Sequence, residues 1–408
     1  MTNDREFDVI VWGASGFTGR LVAEYLNRQY GLNSDAPNNV KWAMAGRNAG
    51  KLGEVAESIG AGEAPLITAE AGNAKSLGEM ARRAKAIVTT VGPYQLYGEP
   101  LVAACAAAGT DYVDLSGEPP FMRRMIDTYQ DQAAASGARI VHSCGFDSIP
   151  FDLGVYYVQK LAREKFGRPA SEVKGRVLAV KGGASGGTVA SMLATMERIG
   201  DPFVRKVMRD PYSLAPDENA ARPRQPGGNK PHYDADAKKW VAPFIMAPIN
   251  TRNVHRSNML MDYAYGGRFR YSEMMAAPNG PAAYAMAGGM GGFAGALAKP
   301  PSRVLLKKTV LPKPGEGPSK AQREAGFYKV LFIARDESGE TVSAVVKGDR
   351  DPGYGSTSKL IAEAALCLAF DISHEETPGG VSTPAAAMGD KLITRLQEKA
   401  GLTFEPAE

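Results

Sequence analysis

A strand-like run ending in evenly spaced glycines constrains this chain more than any other feature. Phe7-Asp8-Val9-Ile10-Val11-Trp12 is apolar and rich in β-branched residues, the pattern of a parallel strand buried on both faces. Gly13-Ala14-Ser15-Gly16-Phe17-Thr18-Gly19 follows at once. Phe17, Leu21, Val22, Tyr25 and Leu26 then recur at helical spacing, and Gly31 stands where a helix would stop. Strand, glycine turn and helix in this order open a nucleotide-binding βαβ unit. Gly13 permits the tight turn, Gly16 lets the backbone approach a pyrophosphate, and Gly19 lets the helix lie close to the sheet. Unpaired amides and the positive dipole end at the helix start would receive the phosphates, which makes Gly13, Ala14, Ser15, Gly16, Phe17 and Thr18 the expected contacts. The G-x-x-G-x-x-G spacing departs from the commoner G-x-G-x-x-G, and the competing reading is a merely tight strand-to-helix connection.

The same alternation continues. Strands are expected at 40–45, 65–68, 86–91, 111–115 and 139–142, with helices at 48–60, 75–85, 100–108 and 121–136 between them. Parallel neighbours need crossover helices, so residues 1–147 read as a Rossmann-type doubly wound α/β domain. Beyond Pro150 the rhythm changes. A strand at 173–181, a helix at 188–198 and a hairpin of 328–335 with 341–347 imply a second α/β domain, 148–350, on a mixed or antiparallel sheet. Pro-, Gly- and charge-rich stretches at 210–231 and 313–326 read as loops, a lid or disordered segments. The remainder, 351–408, carries helices at 357–370 and 384–399, whose packing partner periodicity does not decide.

At 408 residues the chain can bury two cores. A net charge of +4 is too small to argue for nucleic acid. Three cysteines without a C-x-x-C pair, four scattered histidines and no secretory leader point to a reducing cytoplasm, without a disulfide framework or metal site. The uncharged run 282–298, AAYAMAGGMGGFAGALA, is interrupted by five glycines and is shorter than the ~20 residues of a spanning helix. It reads either as a closely packed or mobile buried segment or as a surface that receives acyl chains or touches lipid.

Cofactor choice is written at the end of the second strand. NAD-selective sheets place a carboxylate there for the ribose hydroxyl; here Ala45-Gly46-Arg47-Asn48 has none. Gly46 leaves room for a 2′-phosphate and Arg47 supplies a permanently charged partner. NADPH is therefore expected over NADH, the alternative being an arginine that simply faces water.

The glycine turn, Ala45-Gly46-Arg47, Thr90-Val91-Gly92-Pro93-Tyr94, residues 109–118 (GTDYVDLSGE) and Cys144-Gly145-Phe146-Asp147-Ser148-Ile149-Pro150 together resemble the saccharopine dehydrogenase-like oxidoreductases. Gly186-Gly187-Thr188, Arg256-Ser257, Asp351-Pro352-Gly353-Tyr354-Gly355 and Gly380-Val381-Ser382-Thr383-Pro384 are similar to one branch, the bacterial trans-acting enoyl reductases together with the saccharopine dehydrogenase-like proteins of animals. The resemblance spans nearly the whole chain. It implies a Rossmann domain, a second α/β domain on a mixed sheet, C-terminal helices 351–408 packing back on the first domain, a nicotinamide cofactor, usually NADPH, and reduction of a carbon–carbon double bond in a thioester-bound acyl chain. An acyl-carrier or polyketide synthase partner follows from it, and peripheral lipid contact and a homodimer stay open.

Around that chemistry, Val91, Gly92 and Pro93 should lie beside the cofactor, with Ser116 and Cys144 at neighbouring strand ends. Tyr94 would donate a proton or a hydrogen bond, or simply pack. Glu118 would favour the first turn of a helix. Asp147 and Ser148 would act at the cleft or cap the next helix. Two other functions compete with enoyl reduction: a non-catalytic nucleotide-binding scaffold, and a saccharopine-type amino-acid dehydrogenase whose polycarboxylate substrate would need Arg252, Arg256, Arg268 and Arg270.

Overall fold

The computed structural model describes residues 5–32, 39–146, 148–183, 186–298 and 317–407. Two sheets organise it. In the first, β1 (Phe7–Trp12), β2 (Trp42–Gly46), β3 (Leu66–Thr68), β4 (Ala84–Thr89), β5 (Asp111–Val113) and β6 (Arg139–Val141) run parallel in the order β6-β5-β4-β1-β2-β3. This is the doubly wound arrangement expected of the alternating pattern, with the chain reversing direction across the sheet between β1 and β4. All six residues of β1 are buried, because helices cover both faces of a parallel sheet.

The helix Ile149–Phe166 carries the chain to the second sheet. That sheet holds β7 (Glu172–Lys181), β8 (His232–Asp234), β9 (Lys239–Pro243), β10 (Arg270–Ala277), β11 (Phe327–Arg335) and β12 (Thr341–Gly348). Only β7 and β10 pair in parallel; β11 with β12 forms the expected hairpin. The sheet is therefore mixed.

The last residues join both sheets. β13 (Gly380–Ser382) adds a seventh parallel strand beside β6, whereas β14 (Leu402–Ala407) pairs antiparallel with β12. Neither strand is visible in the sequence pattern. Between them, the helix Thr357–Leu366 lies against the first helix, Phe17–Tyr30, and is almost wholly buried. Its one carboxylate, Glu363, accepts hydrogen bonds from Tyr25, Tyr30 and Arg395, which satisfies an otherwise costly buried charge.

Buried polar contacts also fix the helix Ile149–Phe166. Asp152 accepts from Ser257 Oγ (2.6 Å) and from the Ala385 amide (2.8 Å), and Ser257 Oγ also lies 2.6 Å from Thr383 Oγ1. Burial pushes the Asp152 carboxyl up to about 7.

Two sequence expectations change here. Segment 210–231 is irregular, as expected, but it is tied down rather than free: Tyr212 donates to the Pro223 carbonyl, and Gln225 accepts from the Tyr271 amide and donates to the Phe269 carbonyl. Within 313–326, residues 313–316 lie outside the described part, and Lys320–Glu324 is a short helix opened by a reciprocal Ser319–Gln322 capping box.

Candidate active site

The glycine turn is built as its spacing demands. Gly13 and Ala14 donate to the Ala45 carbonyl at the end of β2, and Gly16 donates back to Gly13. Gly13 has φ +89°, a region that favours glycine. A Cβ on Gly19 would sit 2.2 Å from the Gly13 carbonyl oxygen, so only glycine lets the helix pack on the turn. The helix Phe17–Tyr30 then begins at Gly16 with no side-chain cap and no acidic residue in its first turn. Its first amides are therefore free to receive an anion. Ser15, Gly16, Phe17 and Thr18 are at least partly accessible there. The Phe17 ring is fixed edge-on to Tyr354, with centroids 4.8 Å apart.

One strand away, Gly46 is buried against Leu52. Arg47 projects beyond it, exposed and without a hydrogen-bond or ion-pair partner among the described residues. A cation held at that strand end with no carboxylate beside it matches a phosphate better than a ribose diol.

The exits of β4, β5 and β6 form the adjoining wall. Thr90 donates its amide to the Trp12 carbonyl, which holds Val91, Gly92 and Pro93 next to the glycine turn. Glu118, fully buried, accepts from the Tyr94 amide (2.8 Å), the Gln95 amide (2.9 Å) and Ser191 Oγ (2.6 Å). It caps the short helix Tyr94–Tyr97 rather than the first turn of its own helix, as the sequence had suggested. Burial raises its carboxyl above the ordinary range, against the pull of those three donors. Below it, Asp114 accepts from the Ser116 and Ser143 amides and the Tyr112 hydroxyl, and its Oδ2 lies 2.7 Å from His142 Nδ1. Ser143 Oγ closes the wall by donating to the Ser116 carbonyl.

These elements border a cleft of about 150 Å³ at the carboxyl ends of β1, β4 and β5. Thr18, Thr90, Gly92 and Gly117 line one side of it, and Ser191 and Met192 line the other. Doubly wound sheets bind ligands at this place, where the strand order reverses. Met192 also lines a larger chamber of about 580 Å³ against β10 and the helix Gly280–Ala298. That helix answers the question raised by the run 282–298. Its glycines from 288 onward are exposed, a Cβ at Gly288, Gly289, Gly291, Gly292 or Gly295 would meet nothing within 4 Å, and Met290, Phe293 and Ala294 wall the chamber. It is a half-exposed roof, not a closely packed core segment.

The remaining anticipated residues stand as follows. The Tyr94 hydroxyl donates to the Thr89 carbonyl and accepts from the Leu115 amide, and its ring packs on Phe121; this is the packing role. Ser148 is buried, with its hydroxyl between Asn250 Oδ1 (3.2 Å) and Asn253 Nδ2 (2.6 Å). Asp147 lies outside the described residues. Ser116 and Cys144 are completely buried beneath the cleft wall. Burial pushes the Cys144 thiol up, which makes it a packed side chain rather than a nucleophile. Arg252 and Arg256 do not form an anion site. Both are buried and spend their guanidinium groups on main-chain carbonyls of residues 207, 208, 214, 248 and 381, with Ser213 Oγ as a further partner. Arg268 is exposed and Arg270 pairs with Glu172 at the surface.

Sequence reasoning missed Asn250, Tyr271, Glu273 and His255, which the fold gathers beside the chamber. No spacing rule marks them, because they come from one helix and one strand brought together only by packing. The cluster at Asp114 was in view, since residues 114–118 belong to a quoted motif, but its role as a scaffold for strand ends was not.

Known proteins carry the same arrangement. Residues 9–141 match the family model described as the saccharopine dehydrogenase NADP binding domain. A Mycobacterium tuberculosis protein named provisionally as a trans-acting enoyl reductase, Rv2449c, is 47% identical, covering 98% of this chain and 97% of its own length. The trans-acting enoyl reductase of Mycobacterium ulcerans is 41% identical over 97% and 96% of the two chains. Among solved structures, apo saccharopine dehydrogenase (L-Glu forming) of Saccharomyces cerevisiae superimposes with a TM-score of 0.55 at 11% identity, covering 98% of this chain and all of its own, and shares the fold. Among the described residues no helix is long and apolar enough to cross a membrane. The chain belongs to the trans-acting enoyl reductase family, as an NADP-dependent oxidoreductase of saccharopine dehydrogenase-like fold.

Proposed function

We propose that this protein reduces the carbon–carbon double bond of an unsaturated acyl thioester with NADPH, acting in trans on chains borne by an acyl carrier of a polyketide synthase. The observation that carries the reading is the shared wall at Met192: a glycine-lined cleft at the strand ends adjoins a chamber with Met208, Phe244, Met290 and Phe293 in its lining. A cofactor cradle beside a mostly apolar cavity suits an acyl substrate. The curated relatives carry the corresponding name.

In this reading the amides of Phe17 and Thr18 hold the pyrophosphate with the Gly16 backbone close beside it, Arg47 holds the 2′-phosphate, and Val91, Gly92 and Pro93 flank the nicotinamide. NADPH supplies a hydride to the β carbon when bound. Charge that then develops on the thioester oxygen needs donors in the cleft, and a proton from solvent or from such a donor must reach the α carbon to complete the saturated product. Tyr94 and Ser148 are spent elsewhere, and Ser191 gives its hydroxyl proton to Glu118, which leaves backbone amides and the Thr18 hydroxyl at the cleft. The buried Arg252 and Arg256, turned to main-chain carbonyls, speak against a polycarboxylate substrate.

Absorbance at 340 nm in the presence of NADPH and trans-2-enoyl thioesters, on pantetheine and on a carrier protein, tests the reading. Enoyl-dependent oxidation of NADPH is expected. Oxidation driven instead by lysine with 2-oxoglutarate would contradict it.

A further inference from the structure

A short helix beside the chamber carries charge that the reductase reading does not use. Asp201 opens the helix Pro202–Arg209 by accepting from the Phe203 amide at 2.8 Å, and Pro202 stands at its first position. Val204 and Val207, three apart, turn inward and are buried. The outer face is cationic. Arg205, Lys206 and Arg209 are exposed, and their charged groups have no hydrogen-bond or ion-pair partner among the described residues. The carboxylates at the two ends of the helix are engaged: Asp201 caps it and lies 3.8 Å from Arg198, and Asp210 pairs with Arg222 at 3.4 Å.

The helix does not need these cations for its own stability. Positive side chains near a helix C-terminus complement its open carbonyls, yet buried Arg252 already donates to the carbonyls of Val207 (3.3 Å) and Met208 (2.7 Å). Arg205 and Arg209 stand four apart, where like charges on a helix repel. Three exposed cations above a buried guanidinium concentrate positive potential on one outward face, and such a face attracts an anion.

Position gives that anion an identity. Arg209 lines the chamber, and with Arg205, Lys206 and Asp210 it also borders an open depression on the outer surface. Arg209 therefore joins chamber to surface, as Met192 joins chamber to cleft. From the strand ends outward the path crosses a glycine-lined cleft, a chamber with Met and Phe in its lining, and a cationic rim. An acyl thioester on a phosphopantetheine arm has its parts in the same order: reacting carbons, an uncharged stretch, then a phosphate.

We propose that Arg205, Lys206 and Arg209 bind the phosphate of the phosphopantetheine arm that delivers the acyl thioester, and that the arm enters the chamber past Arg209. This rests on the enoyl reductase reading of the adjoining cleft. A phosphodiester accepts charge-assisted hydrogen bonds from guanidinium and ammonium groups. A carrier protein and free coenzyme A both present it. Because the rim is open to water, the contact weakens as salt is added.

Calorimetry with saturated, unreactive ligands tests this without turnover: octanoyl-pantetheine, octanoyl-4′-phosphopantetheine, octanoyl-coenzyme A and the same chain on an acyl carrier protein. At low ionic strength octanoyl-4′-phosphopantetheine is expected to bind at least about tenfold more tightly than octanoyl-pantetheine. Arg205→Gln, Lys206→Gln and Arg209→Gln in one protein should bring that ratio below about twofold, whereas Arg209→Lys, which keeps the charge, should retain most of it. A disturbed fold would weaken both ligands alike and leave the ratio unchanged. Equal affinities for the wild type, or a ratio that the triple substitution does not move, would overturn the inference. With the ratio upheld, further tightening on the carrier protein assigns the phosphate to a carrier, and further tightening on coenzyme A alone assigns it to the free thioester. An intact ratio in a protein that oxidises no NADPH with any enoyl thioester would uphold the rim and sink the reductase reading instead.

Discussion

Glycine is concentrated in two regions of this molecule, and the two use it for opposite reasons. At 13–19 the glycines are sterically compelled: a Cβ on Gly13 would lie 2.7 Å from Val91, and one on Gly19 would lie 2.2 Å from a backbone oxygen. At 288–295 nothing within 4 Å would obstruct a side chain. The first region is a rigid cradle whose shape is its function. The second is a helix that carries five residues each about 1 kcal/mol worse than alanine, without a packing reason. A helix so weakened can open at low cost, and it forms one wall of the chamber. Glycine content alone therefore says nothing; what a Cβ would meet decides its meaning.

The largest effect should come from the cradle. Gly19→Ala must move the turn away from the helix, and NADPH affinity should fall by at least about a thousandfold, read by quenching of protein fluorescence. Near-normal affinity would break the distinction between the two regions at once.

A second contrast is electrostatic. The cradle, residues 13–19, contains no titratable side chain, whereas the chamber holds Glu273. Its carboxyl is raised from 4.5 to about 8 by burial, so the folded state favours the protonated form. The resulting stabilisation is complete below pH 4.5 and is lost as the pH rises through about 8. Relative to Glu273→Gln, wild-type stability should drop by roughly 3 kcal/mol between pH 5 and pH 8, measured by denaturant titration. A pH-independent difference would show that this carboxyl does not titrate as described.

Arg47→Asp should come next. A charge-assisted contact of about 1.5–3 kcal/mol corresponds to a ten- to hundredfold fall in the ratio of NADPH to NADH affinity. An unchanged ratio would return Arg47 to the role of a solvated surface charge.

The smallest effect belongs to the roof. Gly289→Ala combined with Gly292→Ala should stabilise the helix Gly280–Ala298 by about 0.5–1 kcal/mol per site and slow amide exchange within it. Faster exchange would mean that these glycines have a packing partner after all.

The legibility of the sequence follows the same division between local and distant causes. β1, β4 and the β11–β12 hairpin were readable because burial on both faces, or alternation across a turn, leaves a continuous pattern. The glycine turn was readable because all its contacts lie within a few residues. β13 and β14 were not, since Gly380–Ser382 becomes a strand only by lying beside Arg139–Val141, and Leu402–Ala407 only by pairing with β12. Tyr94 and Ser148 looked like chemistry from their positions after strands, yet tertiary neighbours absorb both hydroxyls. His255, Tyr271 and Glu273 carried no signal at all, because their meeting point is set by the packing of a helix on β10.

The central claim is that a hydride from the cradle reaches an acyl chain seated toward the chamber. NADPH deuterated at C4 of the nicotinamide, incubated with a trans-2-enoyl thioester and the wild-type protein, tests it most directly by NMR of the product. The account predicts a saturated thioester with deuterium on its β carbon. Recovery of unreduced enoyl thioester, or of deuterium at any other carbon, would contradict it.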